Sequence, residues 1–274
     1  MNSSLICPDP RPGVRHLSGV APLAAVPLLG ESLLEYWLTH LAGAGVRTVN
    51  IFASDRPELI AKLVGNGARW GMQATVFPEA RELTPAEVIS GRRPPGASRE
   101  DCPEPVVLSC FPGIPDLDLF AGYEGMLNGL ARWMPKANTV DRVGIHQVRP
   151  GVWLGNHARV APEAQLLSPC WIGNSTYVGP RAVIGPMTIL EDRVFVEPEA
   201  AVGGSYVGPD TFVGRLAVVS NSIAWGSTLV HWKSGAAIEV EDAFLLCSLR
   251  RTQLVPTREN RFGNVLESAN RCPR

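Results

Sequence analysis

The sequence predicts an α/β unit with a parallel sheet over residues 1–140, followed by an all-β coil of stacked short strands over 141–217. Two observations predict it. In the first half, helical stripes of apolar residues alternate with short strand-like runs, the pattern of a parallel α/β sheet. From Leu154 onward an aliphatic residue recurs every six positions: Leu154, Val160, Leu166, Ile172, Val178, Ile184, Leu190, Val196, Val202. A strand alternates with period two and a helix repeats near 3.6, so neither sustains a period of six.

The first-half elements follow in order. Leu33, Leu34, Trp37, Leu38 and Leu41 form one helical stripe, opened by a Ser32-x-x-Glu35 capping box and closed near Gly43-Ala44-Gly45. Val46 to Ala53 reads as a strand. Asp55 and Pro57 open a second helix that ends at Gly65. Gln73 to Phe77 and Pro105 to Cys110 read as further strands, and Asp118 to Trp133 as a helix. The Gly43-x-Gly45 pair lies at a helix end, so it is not a dinucleotide loop, which belongs between a strand and a helix start.

In the second half a short strand, a turn and a return to the same inward position explain the period. Each aliphatic then stacks on its equivalent about 4.8 Å above, with Gly and Pro assigned to the corners. The hexad from Leu166 is interrupted at Leu167 and the one from Val202 at Tyr206. The phase slips by one residue after Val202 and resumes at Val207 and Val213. Residues 218–249 lose the period and read as a β cap over the open last coil. Residues 250–274, with six Arg against two Glu, read as a basic, disordered tail.

Composition narrows the function classes. A chain of 274 residues with 45% hydrophobic and 19% charged residues is an ordinary globular protein, long enough to bury roughly three quarters of its unfolded surface. A net charge of −1 offers no global field for nucleic acid or an anionic membrane. No apolar run approaches the roughly 18 residues of a membrane span. The start, Met1-Asn2-Ser3-Ser4-Leu5-Ile6-Cys7-Pro8, lacks a secretory pattern. Cys7, Cys102, Cys110, Cys170, Cys247 and Cys272 contain no C-x-x-C pair, so free thiols in the cytoplasm are expected and no metal site is.

The hexads, of which Ile172-Gly173-Asn174-Ser175-Thr176-Tyr177 and Val178-Gly179-Pro180-Arg181-Ala182-Val183 show the form, resemble the hexapeptide-repeat family. That resemblance implies a left-handed parallel β-helix with three hexads per triangular coil, and a homotrimer along it.

A second resemblance lies in the first half. Pro27-Leu28-Leu29-Gly30-Glu31-Ser32-Leu33-Leu34-Glu35-Tyr36-Trp37-Leu38, Gly45-Val46, Arg56-Pro57-Glu58 and Gly67-x-x-Trp70-Gly71 resemble the sugar-nucleotide pyrophosphorylase family. This implies a Rossmann-like parallel sheet, a shortened nucleotidyltransferase fold. The family joins a nucleoside triphosphate to a sugar 1-phosphate and often carries a hexapeptide helix afterwards.

The parts that resemblance needs for catalysis are missing. Its loop G-x-G-T-R-L-x-P-L-T falls on Asp9-Pro10-Arg11-Pro12-Gly13 and continues to Leu17-Ser18. Its phosphate-binding P-K-P falls on Pro22-Leu23-Ala24, and its L-G-T-A-G segment on Leu83-Thr84-Pro85-Ala86-Glu87. Ser109-Cys110-Phe111 stands where the family has the N-G-D that holds magnesium. Pro donates no amide hydrogen bond, Asp9 repels phosphate, Leu23 carries no charge and Phe111 offers no oxygen to a hard cation.

The expectation is therefore a non-catalytic, degenerate nucleotidyltransferase-like protein. It would act as an assembly, regulatory or nucleotide-sugar-sensing component of bacterial polysaccharide or nucleotide-sugar metabolism, with a protein partner in that pathway, no nucleic-acid partner and no cofactor of its own. Two alternatives stay open. One is a hexapeptide acyltransferase using acyl-coenzyme A, for which His157, in Gly155-Asn156-His157-Ala158, is the candidate general base. The other is a divergent but active magnesium-dependent nucleotidyltransferase. His146 and His231 flank the repeat, and His16 and His40 carry no motif. Glu163, Glu191, Asp192, Glu197 and Glu199 read as a solvated face, and Tyr177, Phe195 and Tyr206 as a groove or a subunit contact.

Overall fold

The computed structural model describes residues 2–91, 104–137 and 144–250. Four parallel strands form the first sheet, in the spatial order Gln73–Pro78, Thr48–Ala53, Asn2–Ile6, Val106–Val107. The central strand, Asn2–Ile6, has no counterpart in the sequence reading, although its Leu5 and Ile6 are wholly buried. Helix Leu33–Gly43 opens with the expected capping box, Ser32 and Glu35 satisfying each other's backbone N–H. Helix Pro57–Val64 ends at Gly65 as expected.

Two elements differ. The strand expected over Pro105 to Cys110 pairs as a ladder only at Val106–Val107. The last helix spans Tyr123–Ala137, not Asp118 to Trp133. Its start is delayed because the Asp118 carboxylate accepts the Phe120 N–H (2.9 Å), holding a turn in place of the first helical residues.

In the second half, strands pair in parallel with strands 18 residues further on. Cys170–Ile172 pairs with Val152–Leu154 and with Thr188–Leu190. Tyr177–Val178 pairs with Arg159–Val160 and Phe195–Val196, and Val183–Ile184 with Gln165–Leu166 and Ala201–Gly203. The chain thus visits three parallel ladders in turn, three hexads per coil. Above Leu190 the pairing step shortens to 17 residues, as in Leu190↔Val207, Val196↔Val213 and Val202↔Val219. This is the one-residue phase slip, read directly as register.

The coil continues past residue 217, where the repeat was expected to stop. Val218–Ser220 and Ser222–Trp225 still pair in parallel with the coil below. Antiparallel closure begins only with Thr228–His231 and Ala237–Glu239, while Leu246–Ser248 runs antiparallel to Thr211–Val213. At the other end His146–Arg149 lies antiparallel to Val152–Leu154. Both ends of the stack are covered this way, which blunts the open edges. Of the expected basic tail only Arg250 falls within the described residues, where it pairs with Asp210.

The corners also correct the sequence reading. Gly155, Gly173 and Gly179 do not supply the positive φ; the residues two positions on, His157, Ser175 and Arg181, do, as do Arg193, Glu199 and Asp210, at φ 54 to 65°. Those glycines are required by proximity. A Cβ on Gly173 would lie 2.6 Å from the Glu191 backbone, and one on Gly155 2.5 Å from Asn174 N. Pro180 and Pro198 do take corners, each followed by a positive-φ residue, the dihedral order of a type II turn.

One outer face of the coil is buried. Trp153, Trp171, Ile189, Tyr206, Ile223 and Val230 belong to the same apolar core as Leu28, Leu33, Tyr36 and the sheet strands. The inner aliphatics, such as Ile172, Leu190 and Val207, form a second core inside the coil. At the junction stands a tight hairpin, Pro27–Leu28 against Glu31–Ser32. Its two central residues, Leu29 (φ 60°) and Gly30 (φ 82°), both have positive φ, as a type I′ turn demands. Glu191, wholly buried, accepts the N–H of Leu29 (2.6 Å) and of Gly30 (2.7 Å). The Tyr206 hydroxyl donates to Pro27 O (2.8 Å) and the Tyr36 hydroxyl contacts Leu28 O and Leu29 O. Glu191 is therefore no part of a solvated face.

Removing the Glu191 carboxylate would leave two buried amides unpaired. Glu191→Ala is expected to lose about 2–5 kcal/mol of unfolding free energy, and Tyr206→Phe about 1 kcal/mol. Chemical denaturation checks both. An Ala variant within about 0.5 kcal/mol of the parent, the range of ordinary surface changes, would mean that the hairpin is not held by Glu191.

Candidate functional site

In an open parallel sheet the ligand crevice lies beyond the carboxyl ends of the strands. Here that edge is occupied by the chain's own charges. Asp9, just past the central strand, donates its N–H to Glu82 Oε2 (2.9 Å), and Glu82 returns its N–H to Asp9 Oδ2 (3.0 Å). Arg11 pairs with Glu82 at 2.8 Å, and the Ser54 hydroxyl, at the end of the neighbouring strand, donates to Asp9. Next to it Arg56 is held by Asp55 and donates to Ser18 O.

The other segments that the resemblance aligns with phosphate and metal positions are built into the fold. Leu23 and Ala24 are wholly buried in a short 3-10 turn. Thr84 and Glu87 form the reciprocal cap of helix Pro85–Gly91, with Arg81 on the Glu87 carboxylate. The Arg81 pair and the Thr84 bonds hold the half-exposed Glu87 carboxyl down to about 2. Phe111 is buried and stacks on Trp133 (4.8 Å between centroids, 4° between planes), with Tyr36 edge-on at 5.5 Å.

Three of the cavities formed by described residues lie in or against the first domain. The first, about 410 Å³, lies between helices Leu33–Gly43 and Tyr123–Ala137 and is lined by Tyr36, His40, Arg69, Trp70, Trp133 and Lys136 among others. Two more, about 280 and 420 Å³, flank Arg15 and His16, one against Trp225 and the other against Trp232. His40 and His16, which carry no sequence motif, thus both face cavities. His40 lies one helical turn from Tyr36 on the same face, a spacing the sequence displays.

His157 is exposed at a left-handed corner of the first coil and lines none of these three cavities. His146 is exposed on its strand, and His231 Nδ1 lies 3.0 Å from Ser234 Oγ. Tyr177 and Phe195, grouped with Tyr206 in the sequence reading, belong to another face. They stack with each other (4.5 Å), and Phe195, 36% exposed, stacks in turn with Phe212 (5.9 Å). Among the described residues no group of three His, Cys, Asp or Glu side chains could hold a metal ion, and no helix is long and apolar enough to cross a membrane.

No protein-family model and no curated protein sequence matches the chain. Among solved structures it is similar to two variants of the Caulobacter crescentus GDP-perosamine N-acetyltransferase, both in complex with CoA and GDP-perosamine. The histidine-to-asparagine variant is 14% identical, with a TM-score of 0.19, and the histidine-to-alanine variant is 13% identical, with a TM-score of 0.17. Each match covers 66% of this chain and 93% of the other. Superposition this loose leaves the activity to be read from the chain's own residues.

The thiols report the electrostatics of the sheet edge and of the coil. Burial, then the Glu82 carboxylate, pushes the Cys7 thiol up to about 12, and burial pushes Cys170 up to about 11. A raised thiol holds its proton at pH 8, and the thiolate is the reactive form. Cys7 and Cys170 are expected to resist a thiol reagent at pH 8 in the folded protein and to react once it is unfolded. Mass mapping of the labelled peptides reads this, and labelling of Cys7 in the native state would refute the packing at the sheet edge.

Proposed function

We propose that the chain is a non-catalytic, shortened relative of the sugar-nucleotide pyrophosphorylases fused to a hexapeptide coil. Its role is that of an assembly, regulatory or nucleotide-sugar-sensing component of bacterial polysaccharide or nucleotide-sugar metabolism in the cytoplasm. The observation that carries the non-catalytic part of this reading is the carboxylate pair Asp9 and Glu82 at the carboxyl ends of the parallel strands. A phosphate oxygen about 4 Å from one carboxylate is opposed by about 4 kcal/mol at the dielectric of a protein surface, and Arg11 is already committed to Glu82. Phosphoryl chemistry rests on positioning and charge stabilisation. The side chains at those positions are instead spent on a cap, a turn and an aromatic core.

The expected result of a magnesium-dependent pyrophosphate-release assay, with nucleoside triphosphates and sugar 1-phosphates, is no turnover above the protein-free rate. Sustained release that depends on the protein would sink the non-catalytic reading.

The coil is read as left-handed and trimeric on the hexad resemblance. In support, its own first domain covers one face and leaves the stacked Tyr177, Phe195 and Phe212 of another uncovered. Light scattering after gel filtration is expected to give three times the chain mass of 29.5 kDa, with Phe195→Glu reducing it to that of one chain. A parent protein of single-chain mass at micromolar concentration would remove the trimer.

A further inference from the structure

The cavity between helices Leu33–Gly43 and Tyr123–Ala137 shares no lining residue with the Asp9–Glu82 edge. Its volume, about 410 Å³, falls in the range of sites that enclose a small organic ligand. Its walls are rings. Tyr36 and Trp133 come from the two helices at 5.4 Å and 82°, and Trp70 is fixed by its indole N–H on Thr39 Oγ1 (3.1 Å). Trp133 is backed by Phe111, so it is rigid before any ligand arrives.

The polar complement holds two cations, Arg69 and Lys136, and the carboxylate of Glu31. The Arg69 guanidinium lies 5.1 Å over the Trp70 ring, oriented by Glu35 (2.6 Å) and Glu31 (3.5 Å). Lys136 Nζ lies 6.0 Å from the centre of the Trp133 ring, and among the described residues no carboxylate pairs with it. The His40 imidazole completes the lining. Arg69 is held by its two glutamates, and among the described residues Lys136 is the lining cation without a carboxylate partner. A rigid aromatic wall beside an ammonium group selects a ligand that offers both a stacking face and a negative group.

We propose that this cavity binds a small organic anion built on a planar ring, its carboxylate or phosphate facing Lys136 and its ring lying against Trp70 and Trp133. The site is separate from any activity at the sheet edge and does not depend on the chain being catalytic or not.

Fluorescence titration of the full chain tests it, since Trp70 and Trp133 line the cavity. The probes are indole acetate and hydroxybenzoate as ring carboxylates, and adenosine monophosphate as a ring phosphate. Acetate and inorganic phosphate serve as anions without a ring, and indole as a ring without charge. The expected result is a Kd at or below about 1 mM for at least one ring anion, with the ringless ions and indole at least about tenfold weaker. Which arm binds identifies the charged group. Lys136→Glu is expected to weaken binding at least about tenfold. Lys233→Glu, the same change at another lysine that lies over a tryptophan, should leave it unchanged. Thr39→Trp, which places an indole in the cavity from an exposed position, is expected to abolish it. The proposal is overturned if no ring anion binds, if the ringless ions bind as tightly, or if Lys136→Glu and Thr39→Trp bind like the parent while unfolding at its midpoint.

Discussion

A single buried carboxylate holds the two halves of this protein in register. Glu191 reaches out of the coil to two adjacent amides of a hairpin whose tip residues both sit at positive φ. A leucine in that conformation is strained at a cost of roughly 1–3 kcal/mol, and a carboxylate without partners would be far costlier. Each defect is the remedy for the other. The tip presents two N–H groups in one direction, and the carboxylate satisfies both. The surrounding bonds, Tyr206 to Pro27 and Tyr36 to Leu28 and Leu29, take up the hairpin carbonyls. The hairpin is thereby pinned from the coil and from its own domain at once.

From that junction the rest follows in layers. Helix Leu33–Gly43 begins where the hairpin ends, so its Tyr36 serves the hairpin with its hydroxyl and the cavity with its ring. Trp133 and Phe111 stack behind it and fix the distance to the last helix. The cavity is therefore framed by groups that also support the domain junction. The sheet edge, in contrast, is closed by local pairs among Asp9, Arg11, Ser54 and Glu82.

Much of this was legible in the sequence because it repeats or caps. The hexad period fixes the coil, and the phase slip at Val202 appears as a 17-residue pairing step. The capping box at Ser32 and Glu35 and the stop at Gly65 lie where local chemistry demands them. What escaped reading depends on contacts far apart in the chain. The outward positions Trp153, Trp171, Ile189 and Tyr206 recur once per coil, a long-period signal that marks one face as covered. Glu191 looks solvated in a repeat whose other carboxylates are mostly on the surface, and only the hairpin 162 residues away makes it internal. The repeat glycines suggest backbone freedom at the corners, whereas the approach of the next coil is what excludes a side chain. The cavity drew no signal, because Tyr36, Arg69 and Lys136 come from three segments that no motif connects.

The separation between Leu29 and Glu191 also sets the order of events during synthesis. The first domain leaves the ribosome with its hairpin tip unpartnered by Glu191, which follows 162 residues later. At about 5–20 residues per second that interval is roughly ten to thirty seconds. Throughout it the Leu29 and Gly30 amides lack the carboxylate that the finished protein gives them. The domain that emerges first is thus the one that must wait, and chaperone demand should fall on the half-made chain more than on the released one.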